Sequence, residues 1–151
     1  MSAPRAIGVD CGGTKILAGV VGRDGTVDRR HTVPTPTSSE EDLLVALEGV
    51  VETLLGEDVA AIGMGVPSQI DQRTGRAVSS VHVPLSDVDR RGRMRDRFGI
   101  PVAIDNDGNA AAIAEWQLGA GRGASNVVVL TLGTGIGGGL ILDGRPFRGS
   151  V

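Results

Sequence analysis

The sequence predicts an α/β fold, a mixed sheet with helices packed on it, and three observations carry that expectation. Short apolar runs alternate with amphipathic segments in the order strand, strand, strand, helix, strand, helix, strand, helix. Hydrophobic residues make up 40% of the 151 positions, and no Pro/Ser tract is long enough to be a linker, so the chain can bury one good core. Glycine is in excess, at 24 residues. Without a collagen period, that excess points to tight turns and close approaches of backbone.

The elements follow in order. Ala6, Ile7, Gly8, Val9 and Asp10 form a short apolar run ending in a carboxylate, which reads as a buried strand. After Gly12, Gly13, Thr14 and Lys15 the apolar pattern resumes over residues 16–21, so the glycine turn joins two strands. A turn at Arg23, Asp24 and Gly25 leads to a more polar strand over residues 26–33, stopped by Pro34 and Pro36. Ser38 and Ser39 before Glu40 and Glu41 mark a helix start, because acids in the first turn favour the positive end of the dipole. Leu43, Leu44, Leu47, Val50, Val51 and Leu54 follow at helical spacing, and Gly56 closes the segment. Val59–Val66 reads as a buried strand ending at Pro67. Residues 68–85 read as a loop, 87–98 as a helix, 101–104 as a short strand and 108–118 as an alanine-rich helix. Residues 126–132 and 139–142 read as strands joined by a second glycine loop, with a hairpin turn at Asp143 and Gly144.

Charge and cysteine content narrow the function classes. A net charge of −3 argues against non-specific nucleic-acid binding, which runs on surplus Lys and Arg. Cys11 is the only cysteine, so no internal disulfide forms and a reducing cytoplasm is the expected compartment. The first strand begins within a few residues of Met1, leaving no apolar signal core, and no apolar run approaches the roughly 18 residues of a membrane helix.

Two glycine segments and a carboxylate cluster carry the chemistry. The first segment is Gly12, Gly13, Thr14 and Lys15, preceded by Asp10. It is not a P-loop, because a strand rather than a helix follows it. Backbone amides in such a turn suit phosphate oxygens, and Asp10 suits Mg2+ held through waters. The second segment runs from Gly133, Thr134 and Gly135 to Gly137 and Gly138. It matches G-x-G-x-x-G, but residues 140–144 read as strand and turn, so it is taken as a second phosphate hairpin with Thr134 as a hydroxyl donor. Asp105, Asn106, Asp107 and Asn109 crowd four polar side chains into five positions after a buried strand. Asp105 and Asp107 are ordinary helix-capping types, but one cap does not need four such residues. Asp107, in the first turn of its helix, is the expected general base toward an attacking hydroxyl, and Asn106 and Asn109 are expected contacts to a polyhydroxylated substrate. The reading is transfer of the γ-phosphate of ATP to an alcohol, with a sugar as the expected alcohol.

The remaining motifs read blandly. Arg90, Arg91, Arg93, Arg95 and Arg97 are interleaved with Asp87, Asp89 and Asp96, so a solvated helix face with local ion pairs is expected. His31 and His82 lack partners at metal-ligand spacing. Cys11 reads as small rather than reactive, and Trp116 as packed on its helix.

Residues 8–15, the segment Asp105 to Ala111 and residues 132–139 together resemble the ROK family (repressors, open reading frames and sugar kinases). Gly65-Val66-Pro67-Ser68-Gln69-Ile70-Asp71 is similar to that family's Gly-x-Pro-x-x-x-Asp segment, although Ser68 and Gln69 replace the more usual Gly-Pro. The resemblance runs in the correct order over nearly the whole chain. It implies the actin-like ATPase (ribonuclease H-like) fold, two domains closing on ATP with the sugar in the cleft. Residues 1–118 are then the first domain, and residues 119–151 the first hairpin of a second, similar one. It further implies Asp107 as general base, Asn106 on the sugar with Pro67 and Ser68 nearby, and Gly8 with the two glycine loops on the nucleotide phosphates. The implied activity is ATP-dependent phosphorylation of a hexose 6-hydroxyl, with glucokinase as the first reading and a homodimer as a common family state. Family kinases continue into a glutamate-and-histidine sugar contact and a zinc site that would lie beyond Val151, so this chain is expected to be the N-terminal half of a longer kinase, inactive alone. The alternatives are a sugar-responsive regulator, which would carry a helix-turn-helix segment before the first loop, and a non-catalytic nucleotide- or sugar-binding remnant.

Overall fold

Alternating burial along the first apolar run makes it a strand, β1 (Arg5–Cys11), with Ile7, Val9 and Cys11 facing the core. The fold is a computed structural model that describes residues 4–80, 89–133 and 135–149. The glycine turn folds β2 (Lys15–Val21) back antiparallel on β1, and β3 (Val27–Pro34) pairs antiparallel with β2. Ser39 caps α1 (Glu40–Leu54), its hydroxyl accepting from the Asp42 amide at 3.1 Å. The chain returns as β4 (Val59–Val66), parallel to β1, and after α2 (Arg90–Phe98) as β7 (Val102–Asn106), parallel to β4. These five strands make one mixed sheet in the order β3-β2-β1-β4-β7. One face is closed by α1 and α2, where Ile7, Ile16, Leu43, Leu47, Val51, Ile62 and Met94 form the buried core. β5 (Ser68–Asp71) and β6 (Arg76–Ser80) form a separate hairpin. Helix α3 (Asp107–Leu118) leads to a three-stranded antiparallel sheet, β10 (Arg145–Phe147), β9 (Ile136–Leu142) and β8 (Val127–Leu132), which packs on α3.

The mixed sheet with flanking helices agrees with expectation, and three local readings change. The segment read as a loop holds the β5–β6 hairpin, whose two strands are too short and polar to show a period. Residues 81–88, including His82, Asp87 and the expected start of the second helix, lie outside the described residues. That helix begins at Arg90 after Asp89, whose carboxylate accepts from the Gly92 amide at 2.8 Å. Its arginines are not a solvated face with local partners. Arg90, Arg93 and Arg97 share one side of α2 and reach α1: Arg90 pairs with Glu40, Arg93 with Glu41 and Glu48, and Arg97 with Glu48 and Glu52. Arg95 to Asp96 is the local pair. Arg90 is 2% exposed, so this cluster clamps two helices together. Trp116 sits on α3 as expected, and its indole N–H donates to the Ala124 carbonyl at 2.9 Å, pinning the turn into β8.

Candidate active site

Parallel strands bring their C-terminal ends to one edge of a sheet, and ligands of α/β sheets bind outside that edge. Here β1, β4 and β7 end together, with Asp10 opposite Gly65 and Gly65 opposite Asp105. The missing side chain of Gly65 lets the next helix come close: a Cβ there would stand 3.5 Å from both Ala110 Cβ and Asp107 Cα. Helix α3 starts directly from β7, and Asn106 is its N-cap. Its Oδ1 accepts from the amides of Gly108 (2.9 Å) and Asn109 (3.2 Å), while its Nδ2 donates to the Ser68 carbonyl at 3.3 Å. Asp107 is thereby set at the first helical position, exposed at the sheet edge.

The other side of the α3 start is also backbone against backbone. A Cβ on Gly108 would collide with the Gly138 peptide, and one on Gly139 would lie 2.6 Å from the Gly108 carbonyl and 2.7 Å from Ala112 Cβ. Gly137 and Gly138, read from the sequence as loop, belong with Gly139 to β9. Their glycine character at Gly138 and Gly139 serves the close packing of β9 on β8 and α3. β8 ends at Leu132 and β9 begins at Ile136, and the Gly133 amide donates to the Gly135 carbonyl at 3.0 Å. Thr134 lies outside the described residues.

The first glycine turn is pinned by its own chain. The Gly12 amide donates to the Lys15 carbonyl, and the Thr35 hydroxyl donates to the Gly12 carbonyl at 2.7 Å. Gly12 therefore spends its N–H inside the turn, whereas Gly13, Thr14 and Lys15 are exposed. Gly8 lies in the middle of β1, paired with Gly19 and Gly63 and away from the turn. Pro67 and Ser68 join β4 to β5 beside Asn106. The two glycine turns belong to different sheets.

The electrostatics single out Asp10. Its carboxyl is held above the usual range, first by loss of water and then by the Asp107 carboxylate, with Lys15 opposing. A cation between or beside these two acids would relieve that cost. Mg2+ binds through one or two carboxylates, waters and phosphate oxygens, so Asp10 fits it, although among the described residues no group of three His, Cys, Asp or Glu is arranged to hold a metal. The Cys11 thiol is pushed up to about 11, chiefly by burial, which leaves it inert at neutral pH.

Three residues of this edge escaped the sequence reading in whole or part. Asp105 accepts from Asn109, Gln72 and Arg148, and neither Gln72 in a short hairpin nor Arg148 after a surface strand carries any local signal. Asp105, Gln72 and Arg148 also line a groove of about 910 Å3 on the sheet face opposite α1, between Gly8, Gly63 and Gly65 on the sheet and Ile113 on α3. Among the described residues no helix is long and apolar enough to cross a membrane.

Comparison with known proteins places this geometry. The model of the ROK family matches residues 6–151. A glucokinase of Streptomyces coelicolor is 37% identical over 143 residues, covering 95% of this chain and 45% of that protein. A ROK family glucokinase from Streptomyces griseus, solved in complex with glucose and AMPPNP, is 37% identical with a TM-score of 0.90, over 97% of this chain and 47% of that one. An inorganic polyphosphate/ATP-glucomannokinase from Arthrobacter is 33% identical with a TM-score of 0.84, over 97% of this chain and 62% of that one. The chain thus spans about half the length of the curated relatives it matches.

Proposed function

The chain belongs to the ROK family, and from that premise we propose that its protein is an ATP-dependent sugar kinase acting on the 6-hydroxyl of a hexose, with glucose as the acceptor. The observation that carries this reading is the placement of Asp107, exposed at the N-terminus of α3 and electrostatically coupled to Asp10 at the shared strand edge. Its support among relatives is the Streptomyces griseus glucokinase, which was solved with glucose and AMPPNP.

In this mechanism Asp107 accepts the proton of the sugar hydroxyl as that oxygen attacks the γ-phosphorus. The bond from the γ-phosphorus to the bridging oxygen breaks, and ADP leaves with the electron pair. The Gly108 amide donates to Asp107 Oδ1 at 2.8 Å and so holds the carboxylate in place for the base role. In this reading Asn106, Asn109, Pro67 and Ser68 contact the sugar, while Gly13, Thr14, Lys15, Gly133 and Gly135 serve the nucleotide. Mg2+, held by Asp10 through water, would supply neutralising charge to the transferred phosphoryl group. Residues 1–118 form the first domain of the kinase and residues 119–151 open the second.

The test is phosphotransfer by the full-length gene product to glucose, with ATP and polyphosphate as separate donors, given the Arthrobacter relative. Asp107→Asn should lower kcat by about 10²–10⁴-fold while glucose binding measured by calorimetry persists. A variant that keeps a near-normal kcat overturns the assignment of the base.

A further inference from the structure

Asp105 stands two positions before the proposed base, with a side chain only 14% exposed. Its Oδ1 accepts from the Asn106 amide (2.8 Å), from Asn109 Nδ2 (3.1 Å) and from Gln72 Nε2 (3.2 Å), and its Oδ2 accepts from Arg148 Nε (2.7 Å). Three donors fill Oδ1 and the guanidinium of Arg148 occupies Oδ2, so every oxygen of this carboxylate is already engaged within the chain. The donors come from three separate places: the turn between β5 and β6, the first turn of α3, and the segment after β10.

We propose that Asp105 is the positioning residue of this site, and that its ion pair with Arg148 couples the orientation of Asn106, Asp107 and Asn109 to the three-stranded sheet. The linkage is continuous. Arg148 holds Oδ2, Oδ1 holds the Asn109 side chain and the Asn106 amide, and Asn106 Oδ1 in turn holds the first amides of the helix that carries Asp107. Asp105 lies two strand spacings from Asp10, about 10 Å along the same edge, and Arg148 supplies the positive charge paired with it. The β9–β10 sheet is thereby tied to the strand end at the point where the helix begins. The kinetic side of this inference rests on the phosphotransfer reading.

Asp105→Asn separates the contacts. It keeps one oxygen for the three donors on Oδ1 and turns an amide toward Arg148, so only the ion pair is lost. In the full-length gene product, Asp105→Asn and Arg148→Ala should each lower kcat about tenfold with the KM for ATP unchanged. The double variant should be no worse than either single one, because both break one linkage. Arg148→Lys, which keeps the charge, should recover part of the loss. Asp105→Ala, which frees all four donors, should cost about 10²-fold, the scale of a misplaced catalytic group. A merely structural role would lower the melting temperature and leave kcat per folded molecule within twofold of the parent; that result overturns the proposal, as does a double variant whose losses multiply. The same cycle followed by thermal melting needs no activity. If the parent phosphorylates no sugar, the kinase reading fails, while additive melting shifts would refute the Asp105–Arg148 linkage itself.

Discussion

The two sheets of this chain treat apolar residues in opposite ways. On the closed side of the five-stranded sheet, Ile7, Leu47, Val51 and Ile62 are at most 1% exposed beneath α1 and α2, and the Arg90, Arg93 and Arg97 pairs with α1 seal the rim. On the three-stranded sheet, Val128, Leu130, Leu132 and Ile136 share one face and are 68%, 69%, 80% and 83% exposed. The opposite face, with Val129 and Ile141, packs toward α3. Both regions follow strand alternation equally well. Periodicity therefore says which residues share a face, and the remainder of the fold says whether that face has a partner. Among the described residues β8 pairs only with β9, so this apolar face lies beside a sheet edge.

That contrast can be broken by substitutions measured in residues 1–151 by urea denaturation followed through Trp116 fluorescence. Leu47→Ala in the closed core should cost the most, about 2–5 kcal/mol, because a buried leucine leaves a cavity that its neighbours fill only in part. Gly139→Ala, at the joint between the two regions, should cost about 1–3 kcal/mol by forcing β9 off the Gly108 carbonyl and Ala112. A cost below that range would show that the joint is looser than the packing implies. Leu132→Thr on the open face should change stability by no more than about 0.5 kcal/mol and should reduce self-association seen by light scattering. If Leu132→Thr costs as much as Leu47→Ala, the two faces are not different in kind.

Much of the site was legible because its signals are local. Asp10 at a strand end, the tight Gly12-Gly13 turn and Asp107 in the first turn of a helix each follow from a handful of neighbouring residues. The bland reading of Asp105 and Asp107 as caps does not describe the turn either: Asn106 caps, while Asp105 turns away to Gln72 and Arg148. Gly138 looks like loop in sequence because a glycine demanded by a phosphate and one demanded by a neighbouring backbone are the same residue. The arginines of α2 looked solvated because their acids lie 45 to 52 residues away on α1.

By itself the sequence determined the order of the strands of the five-stranded sheet and of the three helices, though not the β5–β6 hairpin. It determined the sharp turns and the identity of the acids at the strand ends as well, since all of these depend on backbone sterics and on hydrophobic spacing over a few residues. Only the tertiary structure decided which of those acids has its lone pairs filled, which arginines are buried and which apolar face lies open. Those outcomes depend on pairings between distant segments, as when Arg148 meets Asp105 across 43 residues, and no short-range rule of the chain encodes such a meeting.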